Sequence, residues 1–320
     1  MGRHTNASWP SSQGGSRPDI EYASETLRVT HRYEALLEKE IRGSPYEFKT
    51  MFTAEGWGAH QRLLRRFKLL KAIDPRLIRM LRPDERVHFI THGTLVSAVD
   101  DFFTSWAAHF LDLRAMVFTS ERVFLIQINT RSEPRDLVTQ IAYSAVVAVV
   151  SSADGSCRLI LRDGRKLHFR HMPRPDHKFL LDFLSNAVKR AGADGDKAAT
   201  AEEKLCPKCF KAVKGFPAHC PECNALLTRP FVAGFRTFLF PGLGNWYLGN
   251  RGFAAGEMLF TTLLWLFLVI LPLIRLFLEG GPPPTRVYWI GTASVLAFVY
   301  VGVAVLTHHI ARKGLHAAAP

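Results

Sequence analysis

Apolar and polar positions change their period several times along this chain. Over residues 21–41 apolar side chains recur at Val29, Tyr33, Leu36, Leu37 and Ile41, the spacing of an amphipathic helix, and Gly43-Ser-Pro closes it. A second helix is predicted over 60–71, with Leu63, Leu64, Phe67 and Leu70 on one face, and a short third over 75–81. From residue 85 to about 172 the period drops to two. Strands are predicted at 86–91, 114–119, 122–129, 140–143, 145–151, 158–162 and 166–171. Thr119-Ser-Glu-Arg, Ala153-Asp-Gly-Ser and Arg162-Asp-Gly-Arg supply the turns between them, the last as a two-residue hairpin loop. Residues 173–190 return to helical spacing, with Phe179, Leu180, Phe183, Leu184 and Val188 in one stripe. Seven short strands and one amphipathic helix predict a small barrel or bent sandwich plugged by its last helix.

Beyond residue 231 charge almost disappears. Residues 258–274 and 287–307 are uncharged runs of 17 and 21 residues, each long enough to cross about 30 Å of hydrocarbon. Tyr288 and Trp289 sit where an interface is expected, and Glu279-Gly-Gly-Pro-Pro-Pro-Thr-Arg turns the chain between antiparallel helices. Residues 231–248 are ambiguous, because Arg236, Pro241, Gly242, Gly244 and Asn245 interrupt them. Two or three helices therefore fit. An even number returns Arg312-Lys313 to the cytosol, as positive-inside bias prefers.

Composition narrows the partners without choosing one. A formal net charge of +13 points to anionic surfaces. Arg62, Arg65, Arg66, Lys68, Lys71, Arg76 and Arg79 concentrate on the second and third helices and are lipid-surface candidates, each cation near anionic headgroups contributing about 1 kcal/mol. The competing reading is an ordinary solvated helix face. Basic residues without interleaved aromatics argue against nucleic acid. The N-terminus lacks an apolar signal core, so the N-terminal domains are expected in the cytoplasm.

Four of the five cysteines form two Cys-x-x-Cys pairs, Cys206/Cys209 and Cys220/Cys223, with ten residues between the pairs. Two such turns supply the four soft ligands that tetrahedral zinc requires, and a closed all-thiolate site implies structural rather than catalytic metal. Iron or a redox dithiol are the alternatives. So small a segment cannot build a core unaided, so the metal should supply its folding energy. Cys157 stands alone in a strand and reads as a buried spectator, and His219 as a bystander. Asp100-Asp101, Glu202-Glu203, the His168/His171/His177 group and His308-His309 have no partner that would make a catalytic constellation. No phosphate loop or nucleophile motif occurs, so no enzymatic activity is expected.

Three stretches resemble known families. Leu81-Arg-Pro-Asp-Glu-Arg-Val, Met116-Val-Phe-Thr-Ser-Glu-Arg-Val-Phe-Leu-Ile and Ile141-Ala-Tyr-Ser-Ala-Val-Val-Ala-Val are similar to bacterial pleckstrin-homology-like (PH-like) domains over about 80–190. That resemblance implies a seven-stranded barrel with a C-terminal helix and a binding role. The aromatic segment from Asp100 to Phe110 departs from it as a longer insertion. Residues 206–223 resemble a zinc ribbon, whose knuckles place a left-handed residue after the second cysteine, here Phe210 and Asn224. Phe240-Pro-Gly-Leu-Gly-Asn-Trp-Tyr-Leu-Gly-Asn-Arg-Gly resembles the glycine-rich signature of TM2-type bacterial membrane proteins. It implies a compact hairpin in which Gly242, Gly244 and Gly249 allow close helix packing.

The expected organisation is α+β and multidomain. It comprises a disordered leader (1–19), a basic helical region (20–80), a PH-like barrel (81–191), a linker (192–204), a zinc ribbon (205–228), a membrane domain (231–310) and a tail (311–320). The function expected is a non-enzymatic binding module anchored in a lipid bilayer, of bacterial inner-membrane type. An adaptor for a protein partner and a homo-oligomeric transport accessory are the alternatives.

Overall fold

The structure, a computed structural model, describes residues 45–52, 59–96, 112–151, 156–193, 201–278 and 284–317. The leader, the first predicted helix, the aromatic insertion at 100–110 and most of the linker lie outside the described residues. The chain divides into two compact units at Ile90.

In the first unit, a single turn α1 (Phe48–Met51) precedes the long helix α2 (Ala59–Met80). Two separate helices were expected here, but α2 runs unbroken through Pro75. The reason is the continuous apolar stripe Leu63, Leu70, Ile73 and Leu77, all fully buried, which holds both halves to one axis despite the missing proline N–H. Arg66 lies on the inner side of this helix. It is 5% exposed, donates Nη1 to the Met51 carbonyl at 2.9 Å and stacks 4.5 Å from the Phe89 ring. It is therefore a packing residue, and its place among the surface candidates is corrected. Arg65, Lys68, Lys71 and Arg79 are exposed, and Arg62 and Arg76 half-buried.

Strand β1 (Val87–Val96) carries the chain into the second unit, an α+β arrangement with an open antiparallel sheet. Its other strands are β2 (Leu113–Thr119), β3 (Arg122–Ile128), β4 (Pro134–Ala142), β5 (Val146–Ser151), β6 (Cys157–Leu161), β7 (Lys166–Arg170), β8 (Glu203–Leu205) and β9 (Ala212–Val213). The order is β5-β6-β7-β1-β2-β3-β4-β8-β9. Each of the seven predicted strands is present. The predicted barrel closure is not among the strand pairings of the described residues, because the outer edge of β4 is taken by β8, with Val138 opposite Leu205. Glu203 and Lys204, expected in the linker, form that strand.

Helix α3 (Arg174–Ala193) covers one sheet face, burying Leu180, Leu184 and Ala187. Its Phe183 meets Phe118 and Tyr143 edge-on at 6.3 Å each. Asp176, in its first turn, accepts from Thr91 Oγ1 at 2.7 Å inside the core.

The C-terminal region contains α4 (Pro230–Leu239), α5 (Leu243–Tyr247), α6 (Arg251–Trp265), a π-helical turn (Leu266–Ile270), α7 (Leu271–Leu278) and α8 (Arg286–Arg312). The continuous stretch Arg251–Leu278 and α8 are long and apolar enough to cross a membrane, with only 6% and 17% of their most apolar windows buried. A core helix of a water-soluble protein would be mostly covered, and these are not. Helix α4 spans about 15 Å, too short to cross.

Candidate metal centre and membrane junction

The two cysteine turns fold as copies of one another. In each, the first cysteine's N–H bonds the carbonyl five residues on, Cys206 to Lys211 and Cys220 to Ala225, both at 2.9 Å. In each, the residue after the second cysteine donates back, Phe210 to the Cys206 carbonyl and Asn224 to that of Cys220, again at 2.9 Å. Both closing residues are left-handed, Phe210 at φ 58° and Asn224 at φ 54°. Asn accepts this conformation readily. Phe does so at a cost on the order of 1 kcal/mol or more, offset by the turn it closes.

These turns bring all four sulfurs within 4.8 Å of one another. Cys206 and Cys223 sulfurs lie 3.7 Å apart, as do those of Cys209 and Cys220. A tetrahedron with metal–sulfur bonds of about 2.3 Å has edges of about 3.8 Å, so the two 3.7 Å pairs match a zinc-sized ion and the remaining edges lie within about 1 Å of it. Desolvation raises the Cys220 thiol, but N–H groups of Cys223 and Glu222 together with the Cys206 and Cys209 thiols outweigh it and bring the value down to about 7, while burial pushes Cys206 and Cys209 up. Cys157 behaves oppositely: burial pushes its thiol up to about 12, which leaves it protonated and inert. Among the described residues the four cysteines are the one cluster with metal-ligand geometry. His168, in the middle of β7, and His171, just past its end, form none, and the side chain of His177 lies outside the described residues.

The knot is docked on its surroundings rather than hung as a spacer. Its apolar centre, with Val213, Ala225 and Leu227 beside the cysteines, is completed by Leu315 from the C-terminal tail. Thr228 N donates to the His316 carbonyl at 3.0 Å, and Leu227 pairs with Ala317. Gly314 approaches so closely that an added Cβ would lie 2.7 Å from Leu137 of β4. The tail is thus wedged between knot and sheet, which the sequence pattern did not signal.

Two contacts fix the ends of the apolar helices to the same sheet. Arg135 of β4 donates Nη1 to Asn250 Oδ1 at 2.6 Å, and Asn250 immediately precedes α6. Lys204 of β8 donates Nζ to the carbonyl of Arg312, the last residue of α8, at 2.9 Å, while its ammonium also lies 3.6 Å from the Phe216 ring. Beside them Lys313 meets Asp112 at 2.5 Å, and Asp112 faces the fully buried Arg114 at 3.7 Å.

Of the glycines expected to permit close packing, two do so. A Cβ on Gly242 would lie 2.6 Å from Met258 Cγ, and one on Gly244 would collide with Thr237, the Ala233 carbonyl and Thr307. Gly249 is corrected: nothing lies within 4 Å, and its φ of +80° makes it a turn residue. Gly234 was missed, although its Cβ would lie 3.0 Å from His308. Buried Asn245 joins three helices by donating to Glu257 at 2.9 Å and to Thr307 at 3.4 Å. Helix α4 leaves Phe231, Phe235, Phe238 and Leu239 exposed, as a helix lying along an interface would.

A scan against protein-family models finds no match, and a search of curated proteins finds no similar sequence.

Proposed function

We propose that this chain is a membrane-anchored, non-enzymatic binding module. Arg251–Leu278 and Arg286–Arg312 form a two-span anchor of bacterial inner-membrane type. The sheet and α3, read as a PH-like domain, and the cysteine knot, read as a zinc ribbon, sit together on the cytoplasmic side. The observation that carries this reading is the pair of ties Arg135–Asn250 and Lys204–Arg312. They connect the beginning of the first apolar helix and the end of the second to one sheet. That placement supports an even number of crossings, two, over three.

The surface engaged is anionic lipid, through the exposed cations Arg65, Lys68, Lys71 and Arg79, with Arg62 and Arg76 beside them. Gly242 and Gly244 pack within the chain, which favours this reading over the oligomeric alternative. A test is the acetylation rate of Lys68 and Lys71 in full-length protein held in nanodiscs. Anionic discs should protect both lysines at low salt and release them at moderate salt, while neutral discs should not. Equal rates in all discs would leave anchoring to the two helices alone and make a protein partner the ligand.

A further inference from the structure

Helix α4 carries its large apolar side chains on one face. Phe231, Phe235, Phe238 and Leu239 follow the i, i+4, i+7, i+8 spacing of a helical stripe and are each at least half exposed, and exposed Phe240 continues them into the next turn. The Phe231 and Phe235 rings stack with centroids 6.4 Å apart. The opposite face, with Ala233, Gly234 and Thr237, is buried. An apolar stripe of this size edged by polar groups marks a contact surface.

Two close approaches set the level of α4 against the apolar spans. A Cβ on Gly234 would lie 3.0 Å from His308 Cβ and 3.3 Å from the Ala304 carbonyl, both of α8. Since α8 ends at Arg312, Ala304 and His308 stand about 12 and 6 Å from its end. The turn after α4 meets the other span near its start. A Cβ on Gly242 would lie 2.7 Å from the Ala254 carbonyl, about 5 Å beyond Arg251. Half of a hydrocarbon core is about 15 Å thick, so α4 and its turn reach the depth of one leaflet and no further.

The edge of the stripe is built for headgroups. Arg236 lies 4.3 Å over the Tyr247 ring, and Arg251 lies 5.8 Å over that of half-exposed Trp246. Arginine beside Tyr or Trp suits the boundary where an amphipathic ring meets hydrocarbon and a guanidinium reaches for water. Val301 and Val305, on the turns of α8 that α4 flanks, are exposed too, so one covering of acyl chains serves span and stripe together.

We propose that α4 and the turn after it insert into one leaflet, with the Phe231, Phe235, Phe238 and Leu239 face among acyl chains on the side of the sheet and knot. The inference rests on the two-span reading and adds an embedded element that does not cross, separate from the cations of α2. Its consequence is positional. Pro230 opens α4 two residues after Thr228, whose N–H bonds the His316 carbonyl, so insertion holds the cysteine knot against the membrane face.

Full-length protein in phosphatidylcholine nanodiscs tests it, with the photocrosslinker p-benzoylphenylalanine placed in turn at Phe235, Phe238, Phe298 and Val147 and adducts read by intact mass. All four side chains are exposed, so the added ring lies outside the fold. Phe298 reports on the span α8, and Val147 on β5, at the far edge of the sheet from β8 and β9. Lipid adducts at Phe235 and Phe238 should match those at Phe298 and exceed those at Val147 about tenfold. Adducts at Phe298 with none above the Val147 level on α4, or crosslinks from α4 to a second copy or another segment of the chain, would overturn the insertion and leave the spans standing. Phe298 no higher than Val147 would instead overturn the two-span reading, and the inference with it.

Discussion

Tyr288 donates its hydroxyl to the carbonyl of Leu268 at 2.9 Å. Leu268 is the carbonyl that Pro272, having no N–H, cannot serve four residues on. A π-helical turn at Leu266–Ile270 spreads the disturbance, and the neighbouring helix supplies the missing donor. Tyr288, expected from its position to mark an interface, bonds the neighbouring helix. Tyr288→Phe should cost about 1 kcal/mol, read as a lower midpoint in SDS titration of detergent-held protein. An unchanged midpoint would show that the carbonyl is served otherwise.

Glycine positions in the same region separate crowding from backbone conformation. Gly244→Ala should destabilise by about 1–3 kcal/mol or more, because its Cβ meets backbone as well as side chains. Gly249→Ala should cost about 1–2 kcal/mol from its positive φ alone. Gly252→Ala, with open space around it in α6, should be neutral or slightly stabilising. The same SDS midpoints rank the three, and a Gly244→Ala protein as stable as Gly252→Ala would refute the close approach.

Metal removal should unfold the knot and loosen β8 from β4. Purified protein is expected to hold one zinc per chain, and cobalt exchange should give the strong visible absorption of a tetrahedral thiolate site. Cys220→Ser should lower metal content and expose the knot to protease, while Cys157→Ala should leave metal content unchanged. Iron in the purified protein, or a full metal complement in Cys220→Ser, would contradict the assignment.

Acid should release the tail. The His316 ring has a value of about 3 in the folded chain against 6.5 when free, so the unfolded chain takes up the proton first as pH falls. Its contribution is fully present above about pH 6.5 and is lost progressively between 6.5 and 3. At pH 5 the loss is about 2 kcal/mol relative to neutral pH. Thermal unfolding in chloride buffer should show this slope, and His316→Gln should flatten it. Equal slopes in both proteins would place the titration elsewhere.

Local pattern carried a large share of this architecture. Alternation marked β6, which packs one face inward, while β2 and β3, buried on both faces, were marked by short apolar runs between turn residues. The repeated Cys-Pro-x-Cys spacing marked the knuckles because a single turn decides whether two sulfurs converge. Arg66 was misplaced because position along α2 does not reveal which basic side chain finds a carbonyl and a ring beneath it. Leu315 and His316 were not legible at all. Three and four residues past α8 they have no period, and their meaning comes from β4 and the knot, as with Lys313 and Asp112, 201 residues apart. Arg135 and Asp136 hid the start of β4, since their polar side chains bond Asn250 and the N–H of Ala317 rather than entering a core.

The central claim is that both ends of a two-helix anchor lie on the side of the sheet and knot. Protease tags at the N-terminus, between Leu278 and Pro284, and after Pro320 test it directly in spheroplasts. Protease added outside should cut the tag between the helices and spare both terminal tags until the membrane is opened. Cleavage of the C-terminal tag from outside, with the N-terminal tag protected, would contradict the account.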